Sequence, residues 1–383
     1  MWRRAIADDL AAHAAMGFGS ALLSRLLSAL RYPRLTNDWP GHHPTVGVRR
    51  VRLPGSVACQ LTYPAAAPSD VTAPYWRPAA VSGMEDSMRL PTDTLGHLRR
   101  RKHPCAADAM PKRGAFPIVV FSPGLYGSSE MYSQLCASIS SFGYVVAALE
   151  HEDGSACYAD AGDGAIPYKR PPAGFAYGRE SVVGFRRPFL EQRLRETESA
   201  ILALLDKNAD GALGEVLAAT QERSSVVLTG HSFGGASAVR VSQELGRTRP
   251  GAISKLALLD TWAFSLDDAT VNRGTSLPTL SIICDAWTTN LELPQLRTLC
   301  ARSSPSWKSY FAPTTVHQSV SDSSTWTPSF VGRRMGSRGA DERELHRTRF
   351  ATAQAVDEFI RGAPLAESEA LQPFELAGSA DAV

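Results

Sequence analysis

The sequence predicts an α/β fold with a mostly parallel central sheet and helices on both faces. Three observations carry that prediction. From about residue 115 onward, short β-branched runs alternate with amphipathic stretches, the pattern of strands joined by crossover helices. One of these runs, VVLT from Val226, leads through GHSFGG into a small-residue helix. Composition is that of a globular protein, 44% hydrophobic and 20% charged, and 383 residues fit one such sheet with appendages.

In chain order, the N-terminus carries Arg3 and Arg4, but Asp8, Asp9, His13 and Arg25 interrupt the uncharged core that a secretory signal needs. Met16, Leu23, Leu26, Leu27 and Leu30 fall at helical spacing. Residues 1–43 therefore read as an extension with an amphipathic helix, docked on the domain or lying on a lipid surface. No run is long and apolar enough to span a bilayer. A cytoplasmic or peripheral membrane location is favoured over a secreted one.

After the linker TNDWPGHHP, the runs VGVRRVRL and VACQLTY predict two antiparallel strands. Pro64 to about Gly114 is rich in Pro, Ala, Arg and Asp and predicts loop with short helices; its basic run, Arg99 to His103, is expected to be solvated. Ile118–Phe121 is a buried strand, followed by the turn SPGLYGSS and a helix with Tyr132, Leu135, Cys136 and Ile139 inward that stops at Gly143. YVVAALEH is the next strand. The loop from Glu152 to about Gly184 is long enough to form a wall of a substrate site.

RRPFLEQRLRETESAILALLDKN then predicts a helix from Arg186. Further strands follow at VVLT, KLALLD, LPTLSIICD and KSYFA, and a last helix covers about Leu345 to Ile360. The main domain thus spans 44–362, and the polar tail 363–383 is expected to fray. A net charge of +2 gives no field that would recruit nucleic acid. Six scattered cysteines without CxxC pairs suggest neither a zinc site nor a disulfide framework.

GHSFG fits GxSxG, a pattern weak by itself and strong in this context. It follows an apolar β run and opens a helix, where the nucleophile elbow of an α/β-hydrolase fold lifts a serine above the sheet. Ser232 is therefore the candidate nucleophile. A serine hydroxyl needs a base, and the fold's order is nucleophile, acid, histidine. Only His317 and His346 lie downstream. His346 falls in a predicted amphipathic helix, whereas His317 sits in a loop just after a strand and is the candidate base.

Two aspartates compete as the acid: Asp260 ends KLALLD and Asp285 ends LSIICD, and position alone leaves both open. The oxyanion hole takes one amide from the residue after the nucleophile, Phe233, and one from the turn SPGLYGSS, with Leu125 as candidate donor.

Together the segments VVFSPGLYGSSEMYSQLCASISSFGYVVAALEHEDGSA, VVLTGHSFGGASAV, LALLDTWAF and VHQSVSD resemble the platelet-activating-factor acetylhydrolase family, serine esterases that remove short or oxidised sn-2 acyl groups from phospholipids without calcium. The resemblance runs roughly from Val46 to Arg361. It implies that the acid is the aspartate of the DxW segment, Asp260 followed by Thr261 and Trp262. It implies no metal or organic cofactor, and a phospholipid or short-chain ester as substrate. Pro123 stands where the family's turn has histidine, Tyr126 where it has its second glycine, and Glu152 where relatives carry arginine. Those departures leave open a general carboxylesterase or polyester-type hydrolase acting on soluble esters. A non-catalytic binding module on the same fold is the reading of a different class.

Overall fold

The computed structural model describes residues 32–219, 224–288, 292–326, 328, 334, 342–366 and 368–376. The expected helix around Leu23 to Leu30 lies outside them. Among the described residues, twelve strands are β1 (Val46–Arg52), β2 (Ala58–Pro64), β3 (Ala106–Ala107), β4 (Ile118–Ser122), β5 (Val145–Leu149), β6 (Tyr158–Asp160), β7 (Ala165–Pro167), β8 (Val226–His231), β9 (Ile253–Leu259), β10 (Thr279–Cys284), β11 (Trp307–Ala312) and β12 (Gln372–Pro373). Ten of them form one sheet in the order β12-β11-β10-β9-β8-β4-β5-β2-β1-β3, and β6 pairs with β7 as a hairpin.

The centre of the sheet, β5-β4-β8-β9-β10-β11, is parallel throughout. β1 and β2 add antiparallel pairing at one side, as their alternating sequence predicts. Every residue of β4, β5 and β8 is buried. This is why those strands read as continuous apolar runs rather than as alternation.

Successive side chains serve opposite faces. Ile118, Val120 and Leu228 pack with α2 (Arg179–Leu205) and α3 (Phe233–Thr248). Val119, Phe121 and Val227 pack with α1 (Ser133–Ser140) and α4 (Glu342–Arg361). The mostly parallel sheet covered by helices on both faces is therefore the fold the sequence predicts.

Three local expectations change. Helix α2 begins at Arg179, upstream of Arg186, and runs through Pro188. Proline removes one N–H and frees the carbonyl four residues earlier, that of Gly184, which is solvent-exposed, so water can satisfy it. The basic run is only partly solvated. Arg101 donates to the carbonyls of Pro33 and Thr325, Arg99 pairs with Glu85 and Asp93, and His103 is buried, leaving Arg100 and Lys102 exposed.

Beyond Gly362 the chain returns to the sheet instead of fraying at once: Gln372 and Pro373 pair with Phe311 and Tyr310, and Leu371 and Leu376 are buried. Among the described residues, no helix is long and apolar enough to cross a membrane.

Candidate active site

The site lies at the carboxyl ends of β4, β8, β9 and β10, where parallel α/β sheets open a crevice. Strand β8 ends at His231, and Ser232 sits at φ 56°, ψ −118° before α3 starts. A non-glycine residue there carries strain on the order of 1–3 kcal/mol, and the surroundings hold it in place. Ser232 N–H donates to Leu259 O at 2.9 Å, and its carbonyl accepts from Trp262 N–H at 3.0 Å.

The glycines are required by close backbone contact. A Cβ on Gly234 would sit 1.9 Å from Ser122 O, and one on Gly230 would sit 2.3 Å from Gly234 O. The same tightness brings the turn after β4 against the serine, since a Cβ on Gly124 would be 3.1 Å from Ser232 Cβ.

His317 Nε2 lies 2.9 Å from Ser232 Oγ, and its Nδ1 lies 3.3 Å from Asp260 Oδ2. Asp260 follows the end of β9 in a left-handed conformation, φ 43°. This turn sends the carboxylate sideways, where Oδ1 accepts from Cys284 N–H at 2.5 Å. Asp285 instead opens a short 3-10 helix and is exposed. His346 is on α4, as its periodicity predicts.

Leu125 is partly buried and Phe233 is the first residue of α3, so the Phe233 N–H has no intrahelical acceptor. The amides flanking Leu125 are committed, Gly124 to Tyr132 Oη at 3.2 Å and Tyr126 to Ser155 O at 2.9 Å. The five predicted site residues thus fall on adjoining segments, with Ser232, His317 and Asp260 in hydrogen-bonded series.

Sequence reasoning missed the groups that hold this arrangement. His231 Nε2 is 2.9 Å from the carbonyl of His317, and His231 Nδ1 is 2.8 Å from Tyr132 Oη. A carbonyl only accepts, so Nε2 carries the proton, Nδ1 accepts from the Tyr132 hydroxyl, and that hydroxyl accepts from Gly124 N–H. Burial, followed by neighbouring His317, pushes the His231 pKa well below its ordinary value and keeps the ring neutral. Trp287 stacks on His317 with ring centroids 4.5 Å apart and planes at 14°. No motif would have singled out Tyr132 or Trp287; His231 is in plain view inside GHSFG.

A second buried network supports the turn after β4. Arg193 of α2 is fully buried, donates to Pro123 O at 2.7 Å and Ser155 Oγ at 2.6 Å, and pairs with Asp153 at 3.0 Å. Ser122 Oγ contacts His151 Nε2 at 2.8 Å, and His151 Nδ1 contacts Glu196 Oε2 at 2.7 Å. Burial lowers the His151 pKa, and burial together with Asp153 raises that of Glu196 to about 8. Both shifts favour the neutral forms of the pair. Glu152 pairs with Arg52 at 2.9 Å. Tyr126, at φ 61°, stacks on Tyr168 with centroids 4.1 Å apart.

Among the described residues, His231, Asp260 and His317 form the group whose ligand-type atoms lie within 4.8 Å of one another. All four imidazole nitrogens of that group are already committed to hydrogen bonds. The donor set suits proton transfer better than metal ligation.

The model for the family "Platelet-activating factor acetylhydrolase, isoform II" matches residues 54–355. The chain is 30% identical to the platelet-activating factor acetylhydrolase of Canis lupus familiaris over 41% of this chain and 38% of that protein. It is 29% identical to the Bos taurus protein of the same name over 41% and 38%. These matches span well under two thirds of the relatives' own length. A ferulic acid esterase from Streptomyces cinnamoneus is similar in fold, with a TM-score of 0.63 at 18% identity, covering 86% of this chain and 96% of that one.

Proposed function

Because the chain belongs to the platelet-activating factor acetylhydrolase, isoform II family, we propose that it is a serine carboxylic ester hydrolase. We propose further that it removes the short sn-2 acyl group of platelet-activating-factor-like phospholipids without calcium. The observation that carries the reading is the 2.9 Å contact between Ser232 Oγ and His317 Nε2, on an imidazole whose other nitrogen faces Asp260.

In this mechanism Ser232 attacks the ester carbonyl while His317 takes its proton. Asp260 steadies the imidazolium so formed. The oxyanion accepts hydrogen bonds from the Leu125 and Phe233 amides, whose donor power costs no reorganisation because the backbone is already fixed. His317 then protonates the departing lysophospholipid alcohol, and water repeats the cycle to release a short carboxylic acid. Nucleophile, base and oxyanion donors are all protein groups, so chelation with EGTA is expected to leave turnover unchanged.

Ser232→Ala is expected to lower kcat/KM on p-nitrophenyl acetate by about a thousandfold or more. Retained activity would overturn the assignment of the nucleophile. Tyr126 favours a second reading, a carboxylesterase for soluble esters, because its ring stands where the family has glycine and is pinned by Tyr168. Comparing sn-2 acetyl and long-acyl phospholipids with a soluble ester separates the two: preference for the soluble ester selects the second. The non-catalytic reading requires that a fluorophosphonate probe leave Ser232 unlabelled.

A further inference from the structure

Helix α2 buries two arginines with opposite circumstances. Arg193 is paired with Asp153 and carbonyl oxygens. Arg186 is 5% exposed and, among the described residues, pairs with no carboxylate. Its Nη2 donates to Tyr168 Oη at 3.1 Å, and its Nη1 is buried without a hydrogen-bond partner. The guanidinium carbon lies 4.7 Å from the ring centroid of Phe185, 5.1 Å from Phe189 and 5.9 Å from Phe233. Cation–π contacts offset part of the cost of burying this charge. They leave Nη1 unused, and a buried cation without an anion is among the costlier arrangements in a protein.

The position is informative. Phe233 contributes one of the two amides assigned to the oxyanion. Tyr168, which accepts from Arg186, stacks on Tyr126, the residue after the other. Lys169 Nζ, a second cation, is 5.8 Å from the same Phe189 ring. Nη1 therefore belongs to a guanidinium linked through one aromatic ring to Phe233 and through two to Tyr126, beside both assigned amides.

We propose that Arg186 is a specificity-determining residue that uses its unpartnered Nη1 to bind an oxyanion, carboxylate or phosphate, carried by the ester substrate itself. This inference rests on the ester-hydrolase reading and deepens it. The oxyanion has two possible sources, the far end of the acyl chain or the phosphate on the alcohol side. In either case a guanidinium suits it, because its planar N–H pairs match both geometries.

The test uses the full chain and two matched substrate pairs. One pair is p-nitrophenyl hydrogen glutarate against its methyl ester; the other is a short acetyl ester of glycerol phosphate against the same ester of glycerol. Wild type is expected to favour the anionic member of one pair, which identifies the source. Arg186→Gln is expected to reduce that anionic-to-neutral kcat/KM ratio by roughly tenfold or more, and Arg186→Lys to restore part of it. A ratio unchanged by Arg186→Gln in both pairs overturns the proposal. If Arg186→Gln does not fold, wild type decides: equal kcat/KM within both pairs also overturns it. Turnover of neutral esters with either negative result isolates the failure to Arg186. No turnover of any of the four by wild type sinks the esterase reading and this proposal with it.

Discussion

At the residue scale, the site depends on a few backbone conformations that composition does not reveal. Asp260 and Asp285 both follow apolar strands and look equivalent in sequence. In space they separate because Asp260 turns at φ 43° toward His317, while Asp285 enters a 3-10 helix and faces solvent. Asp260→Asn is expected to lower kcat about ten-thousandfold, through loss of the imidazole's orientation and charge balance. Asp285→Asn should leave kcat within about twofold, since its side chain is exposed and changes at exposed side chains usually perturb little. Equal losses in the two variants would reverse the assignment.

The neutral His231 invites a subtler experiment. His231→Phe removes the donor to His317 O, and a displacement of about 1 Å at the base can cost on the order of a hundredfold. We expect that loss in kcat rather than KM, measured on a soluble ester. Ser232 and His317 were legible because strand, turn and chain order constrain them. Tyr132 and Trp287 were not, because their roles arise from long-range contacts.

Elements tell a different story, in which the parallel strands were legible and α2 was not. An interior proline normally marks a helix start, so Pro188 pulled the expected boundary to Arg186. Seven further residues, 179–185, are helical because α2 packs on the sheet and on α3 there, with Val182 buried and Phe185 against the core. Tertiary packing outweighs the local signal.

The same helix carries Glu196, whose carboxyl is raised from 4.5 to about 8 by burial and by Asp153, and is eased by Gln192 and Arg193. Unfolded, it ionises near 4.5; folded, it keeps its proton to about 8. The native state therefore binds more protons in that window, and this contribution to stability is full below the lower value and lost as pH rises through the upper. Glu196→Gln should flatten the fall in Tm between those pH values, as followed by circular dichroism. An unaltered slope would mean that Glu196 is ionised in the native protein.

For the whole molecule, the sheet explains why a chain of this length folds around one site. Its parallel strands place β4, β8, β9 and β10 side by side, so residues from 122 to 317 in sequence meet at one edge. The return of the chain after Gly362 was not legible, because Gln372 and Pro373 have no strand-like neighbours and pair only where β11 offers a free edge. Truncation after Gly362 removes buried Leu371 and Leu376 and should lower stability by roughly 2–5 kcal/mol, read from urea unfolding. If the N-terminal segment docks on lipid, deleting residues before Asn37 should weaken vesicle binding and spare soluble-ester turnover. Unaltered sedimentation with vesicles removes that role.

The bond from His231 to the carbonyl of His317 has one more consequence. His231 is covalently joined to Ser232, so the nucleophile's own peptide neighbour grips the main chain of the base. Fluctuations that shift the end of β8 then carry both partners together, and the Oγ to Nε2 distance is insulated from breathing of the surrounding loops. In hydrogen-exchange measurements, the amides around His317 should open with the slow cooperative unit of the central sheet rather than with the fast exchange usual for a surface turn.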